Sequence, residues 1–161
     1  GHDEPRPGRL ISRAEEDVMT VATILSEKGR HVVTSPMTRT LHEVAQELMR
    51  HGIGALVVVD GDGSVTGVIS ERDLVSAIAA FGAAALQSPV RDHMQTNPAT
   101  AGENDTVDST MQTMTLERRR HLPVVKNGRL TGLVSIGDVV KHRIRVIEEE
   151  HRSMREYIAQ A

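Results

Sequence analysis

Two stretches of this chain are copies of one another, and that restricts the available folds more than any other feature. Gly67-Val68-Ile69-Ser70-Glu71-Arg72-Asp73-Leu74-Val75 and Gly132-Leu133-Val134-Ser135-Ile136-Gly137-Asp138-Val139-Val140 carry Gly, Ser, Asp and the final Val at the same spacing, 65 positions apart. Upstream, Leu56-Val57-Val58-Val59 matches Leu122-Pro123-Val124-Val125 once the longer turn of the first copy is allowed one extra residue. Self-similarity of this kind means one supersecondary unit used twice.

Each copy spells the same string of elements. Leu41, Val44, Ala45, Leu48 and Met49 recur at helical spacing and stop at Gly52, and Val107, Met111 and Met114 form the counterpart in the second copy. The β-branched run Ala55 to Val59 joins Val65 to Ser70 through Asp60-Gly61-Asp62-Gly63-Ser64, a hairpin; Lys126-Asn127-Gly128-Arg129 turns the second one. A helix follows each hairpin, from about Glu71 to Ala80 and from near Ile136. The second runs long: Val140, Ile144, Ile147, Met154 and Ile158 keep a stripe almost to the end. Such a stripe is expected to pack on a helix around Val21 to Leu25 or on a second subunit. Each half, at roughly 50 to 60 residues, is too small to be comfortably stable alone. Paired with pseudo-twofold symmetry, the halves leave two related clefts, where small ligands usually bind.

Composition removes whole classes of function. The 161 residues include no cysteine, which excludes disulfide scaffolds, thiolate metal sites and cysteine nucleophiles. Phe81 and Tyr157 are the only aromatic residues, too few for a base-stacking surface, and a net charge of −3 offers no overall attraction to nucleic acid. The longest apolar run, Ala77 to Leu86, is too short to span a membrane. The expected organisation is a flexible tail or expression remnant over 1–18, with Met19 read as the natural start; a first repeat over 19–82; a second over 83–145; and a helical extension over 146–161.

A glycine-closed hairpin followed by Ser-x-x-Asp, twice, each preceded by a helix and a Val-rich strand, resembles a tandem pair of CBS domains, a Bateman module, over roughly Met19 to Arg145. The strings Thr20-Val-Ala-Thr-Ile-Leu-Ser-Glu-Lys-Gly, His51-Gly-Ile-Gly-Ala-Leu-Val-Val-Val, Ser70-Glu-Arg-Asp-Leu-Val and Arg120-His-Leu-Pro-Val-Val are similar to free-standing bacterial pairs that carry no attached enzyme. The resemblance implies an α/β (α+β) fold of two repeats, each a short sheet with two helices. It also implies a cytoplasmic, non-catalytic sensor that dimerises into a disc and binds AMP, ADP, ATP, S-adenosylmethionine or NAD(H) between its repeats.

The same resemblance places ribose hydroxyls on Asp73 and Asp138. A carboxylate can accept from two adjacent hydroxyls at once, and Ser70 and Ser135 stand at helix starts whose free N–H groups favour an anion. Ser-x-x-Asp at a helix start is also a capping box, and both roles can coexist. The implied adenine wall is Val33, Thr34, Met37, Ile53 and Leu56, with Thr100 and Leu122 from the second copy; the alternative is that these are core residues. Phosphate would fall to Arg120 and His121, then Arg119 and Arg72, unless Arg118-Arg119-Arg120 is a solvated charge run. The first copy has Gly54-Ala55 where the second has Arg120-His121, and Gly137 replaces Arg72, so the clefts are expected to be inequivalent.

Rival classes lack support in the residues. No phosphate-loop, nucleophile-elbow or zincin motif occurs, and Gly61-x-Gly63-x-x-x-Gly67 is a hairpin turn with the wrong spacing for a dinucleotide fingerprint. His31, His42, His51, His93, His121, His142 and His151 are scattered without metal-ligand spacing and are expected at the surface or at helix ends. A dimerising scaffold without ligand is the remaining alternative, ahead of an enzyme or a DNA-binding regulator.

Overall fold

The computed structural model describes residues 19–160; the expected tail over 1–18 lies outside them. The elements follow the duplicated pattern. Helix α1 (Val21–Lys28) leads into β1 (Thr34–Pro36), α2 (Leu41–His51), the hairpin β2 (Ala55–Val59) and β3 (Val65–Ser70), and α3 (Glu71–Phe81). Two short 3-10 turns, Gly82–Gln87 and Val90–Asp92, then reach β4 (Gln95–Thr96), α4 (Val107–Glu117), the hairpin β5 (His121–Lys126) and β6 (Arg129–Ser135), and α5 (Ile136–Ala159).

Repeat 1 has a sheet of order β1-β2-β3-β4, with β1 parallel to β2 and the remaining pairs antiparallel. Repeat 2 has the β5-β6 hairpin, and a parallel bridge from Ala101 to Val124 stands where β1 pairs with β2 in the first copy. Both hairpins shift register at the same place, Val58/Val59 and Val124/Val125. Asn127 and Gly128 turn the second with φ of 52° and 76°, the left-handed pair that an Asn-Gly two-residue turn supplies.

The cores do not follow the order of the copies. Leu41, Val44, Leu48, Leu56, Val58 and Ile69 form the first core together with Ala85 and Val90 from the inter-repeat segment. Leu122, Val124, Val134 and Val139 form the second, and α1 supplies Val21, Ile24 and Leu25 to it. Each repeat is therefore completed by the segment preceding the other one. Thr40 bridges to Pro89 and Thr106 to Thr20, the same contact made twice. The boundaries 19–82 and 83–145 divide the chain by copy and cut across both cores.

Of the two expected partners for the stripe of the long final helix, α1 covers a different face and leaves the stripe exposed. Val139, His142, Val146 and Ser153 are enclosed, while Val140, Ile144, Ile147, Met154 and Ile158 stand about half exposed or more. Helix α1 packs on α5, with Glu27 and Arg145 paired through two hydrogen bonds. His142, expected at the surface, is 7% exposed and its Nε2 has no hydrogen-bond partner among the described residues. Helical spacing placed the stripe one residue away from the face that α1 covers.

Candidate functional site

Two matching backbone contacts, one within each repeat, fix the elements that border the seam. At the start of α3 the Glu71 N–H donates to the Gly54 carbonyl oxygen (2.9 Å), and at the start of α5 the Ile136 N–H donates to the Arg120 carbonyl oxygen (2.8 Å). Each contact ties a helix N-terminus to the residue before a Val-rich strand. The two strand starts then face each other: a Cβ added at Gly54 would lie 3.9 Å from His121 Nε2.

One cleft, of about 310 Å³, brings together Ser70, Arg72 and Asp73 from the start of α3, Arg118, Arg120 and His121 from the approach to β5, and Ser135 with Gly137 at the start of α5. Asp73 Oδ2 accepts from the Ser70 N–H at 2.8 Å and from its hydroxyl at 3.0 Å, while the Ser70 hydroxyl accepts from the Asp73 N–H. The capping box is formed, yet Oδ1 of Asp73 takes no hydrogen bond among the described residues, and Asp73 lines the cleft. Three arginines and two helix N-termini against one aspartate and Glu71 make this hollow attractive to an anion that also carries hydroxyls.

The second cleft, also about 310 Å³, is lined by Lys28, His31, Val33, His51, Ile53, His121 and Ser135 among others. His121 and Ser135 thus belong to both clefts. Burial holds the His121 imidazole below its ordinary pKa, and the neighbouring Lys28 charge adds to that effect. Asp138 is less free than Asp73. Its Oδ2 accepts from the Ser135 N–H (2.9 Å) and from the Lys28 ammonium (2.6 Å), and it faces a groove between α1 and α5. Burial pulls the Asp138 carboxyl up, but the hydrogen bonds from Lys28 and Ser135 outweigh it and leave the pKa lowered.

Several expected wall residues lie elsewhere. Leu56 and Leu122 are wholly enclosed in the two cores, and Met37 packs against the first. Thr34 is exposed on β1, Thr100 is exposed just before Ala101, and Arg119 is half-buried with its N–H donated to the Met114 carbonyl oxygen. None of these six lines either cleft; of the expected wall, Val33 and Ile53 do. Lys28 and Arg118 were not singled out from the sequence. Lys28 reaches Asp138 across 110 positions, which no local pattern reveals. Arg118 closes α4 in the left-handed conformation, where repeat 1 uses Gly52.

Two duplicated α/β halves, sharing cores across a polar seam, define a tandem-repeat module with paired clefts. The chain belongs to the CBS-domain family, whose sequence pattern matches residues 17–80 and 90–145. It is similar to the CBS-domain containing protein ATU1752 from Agrobacterium tumefaciens, with 49% identity and a TM-score of 0.75 over 78% of this chain and 99% of that one. A CBS domain protein from Pyrobaculum aerophilum solved with AMP is 31% identical, with a TM-score of 0.71 over 83% of this chain and 99% of the other. The CBS domain pair of protein MJ0100, solved with 5-methylthioadenosine and S-adenosyl-L-methionine, is 27% identical, with a TM-score of 0.69 over 76% of this chain and 98% of that one. No helix among the described residues is long and apolar enough to cross a membrane.

Proposed function

We propose that this chain is a non-catalytic regulatory module that senses an adenosine nucleotide, AMP, ADP, ATP or NAD(H), in the clefts at its seam. One observation carries the reading: Asp73 keeps a carboxylate oxygen free in a hollow that also holds Arg72, Arg118 and Arg120. The aspartate accepts the ribose hydroxyls, and the arginines with the N–H groups of α3 and α5 take the phosphate. Val33 and Ile53 offer an aliphatic surface to a base in the second cleft. That two related pairs were solved with adenosine-containing ligands supports this class of ligand.

The output is a change in packing between copies. Val75, Ile78 and Phe81 on α3 and Val140 and Ile144 on α5 are exposed apolar side chains on the helices that flank the seam, the material of a homodimer interface. A ligand acts by preferring one arrangement of the halves over another. A cytoplasmic location is part of this proposal. Calorimetric titration with AMP, ATP and NADH tests the reading. Micromolar binding of at least one of them is expected, with the first-cleft site lost in Asp73→Ala and the second retained; a folded protein that binds none of the three overturns it.

A further inference from the structure

We propose that Lys28 is a displaceable latch that makes the second cleft select an adenosine nucleotide bearing a phosphate over the neutral nucleoside; this rests on the sensor reading above. The Lys28 ammonium donates to Asp138 Oδ2 at 2.6 Å and to the Leu133 carbonyl oxygen at 2.8 Å. It lines both the second cleft and the adjoining groove that contains Asp138, so it stands between the carboxylate and the cleft. Asp73, the repeat counterpart of Asp138, has no ion-pair partner among the described residues.

The difference is topological. In repeat 1 the β3 edge at Gly67 and Val68 is paired with Thr96 and Gln95 of β4. In repeat 2 the matching edge at Gly132 and Leu133 is covered by α1, with Leu25 against Gly132 and a side-chain ammonium on the Leu133 carbonyl. A cation is therefore paired directly with the second aspartate, and none among the described residues with the first.

The consequence is chemical. Gripping two vicinal hydroxyls engages both oxygens of a carboxylate, and at Asp138 one of them already serves the Ser135 N–H and the ammonium. A neutral nucleoside that displaces Lys28 leaves its exposed ammonium to water and offers it no new charge-assisted partner. A phosphate offers one. The flexible lysine stem lets the ammonium swing from carboxylate to phosphate, one charge-assisted bond replacing another. At Asp73 the competing group is the Ser70 hydroxyl, which only has to rotate.

The test is calorimetric titration of AMP and of adenosine into wild-type protein and into Asp73→Asn. That variant keeps a side-chain oxygen for the Ser70 cap and reports the second cleft alone. In the Asp73→Asn background, adding Lys28→Met is expected to reduce the ratio of adenosine to AMP dissociation constants about tenfold, adenosine binding more tightly and AMP more weakly. Lys28→Arg keeps the ratio, and the thermal midpoint checks that each variant is folded. An unchanged ratio in folded Lys28→Met, or no binding to Asp73→Asn while wild-type protein binds, overturns the latch and leaves the sensor reading standing. Wild-type protein that binds neither compound overturns the sensor reading, and the latch with it.

Discussion

Arg118 stands where the first repeat has Gly52, and both close the preceding helix at positive φ, 52° and 63°. A non-glycine residue there costs about 1 kcal/mol or somewhat more, and the side chain so placed enters the first cleft. Arg118→Gly relieves that strain at a similar cost in chain entropy, so the thermal midpoint is held while AMP affinity falls. Arg118→Val, β-branched at the same φ, lowers the midpoint. A cleft arginine whose removal leaves AMP binding untouched contradicts its assignment. His142 gives a second prediction. It is buried between Glu27 of α1 and Arg143 and Arg145 of its own helix, and burial is the first cause of its lowered pKa, with the two arginines adding and Glu27 opposing. The unfolded chain therefore takes up a proton near the ordinary 6.5 that the folded chain resists. Stability is full above that pH and declines as pH falls through it towards the lower folded value. Thermal melts of His142→Leu are expected to show a shallower decline than wild type; parallel profiles would exclude His142 as a source. At this scale the sequence yielded what is local. Ser70, Asp73, Ser135 and Asp138 could be named because a cap and its acid are three residues apart, whereas the Lys28 contact needs the whole fold.

The repeated glycine of the two hairpins has a packing cause in each element. A Cβ on Gly67 would lie 2.5 Å from Met94 Sδ and 2.9 Å from the Gln95 carbonyl oxygen; on Gly132 it would meet the Leu25 methyls at 2.7 Å. Backbone cannot step aside as a side chain can. Gly67→Ala is thus expected to destabilise more than Gly132→Ala, which should cost about 1–3 kcal/mol as an overpacked core does. Denaturant melts giving the reverse order would contradict the assignment of β4 and α1 to equivalent flanks. Helices α2, α3 and α4 and both hairpins could be read from the sequence because period and turn residues agree there. The exchange of α1 into the second core could not, since Val21, Ile24 and Leu25 are apolar at helical spacing whichever core receives them. The same limit explains the wall: Leu56 and Leu122 begin Val-rich strands, and only tertiary packing decides that they point inward.

For the whole molecule, duplication supplies symmetry and divergence breaks it. Gly54 faces His121 and Asp73 is open where Asp138 is latched, so one seam presents two unlike clefts. The exposed apolar residues of α3 and α5 are expected to hold two copies together; Val75→Ser with Phe81→Ser shifts sedimentation from dimer to monomer, and a wild-type monomer at all concentrations would remove the dimer from the account. The most direct measurement of the central claim is a crystal structure of the chain grown with AMP. AMP is expected in the first cleft, with the ribose on Asp73 and the phosphate beside Arg118 and Arg120. AMP bound away from the seam, or Asp73 engaged by Ser70 alone in a cleft without nucleotide, would contradict it.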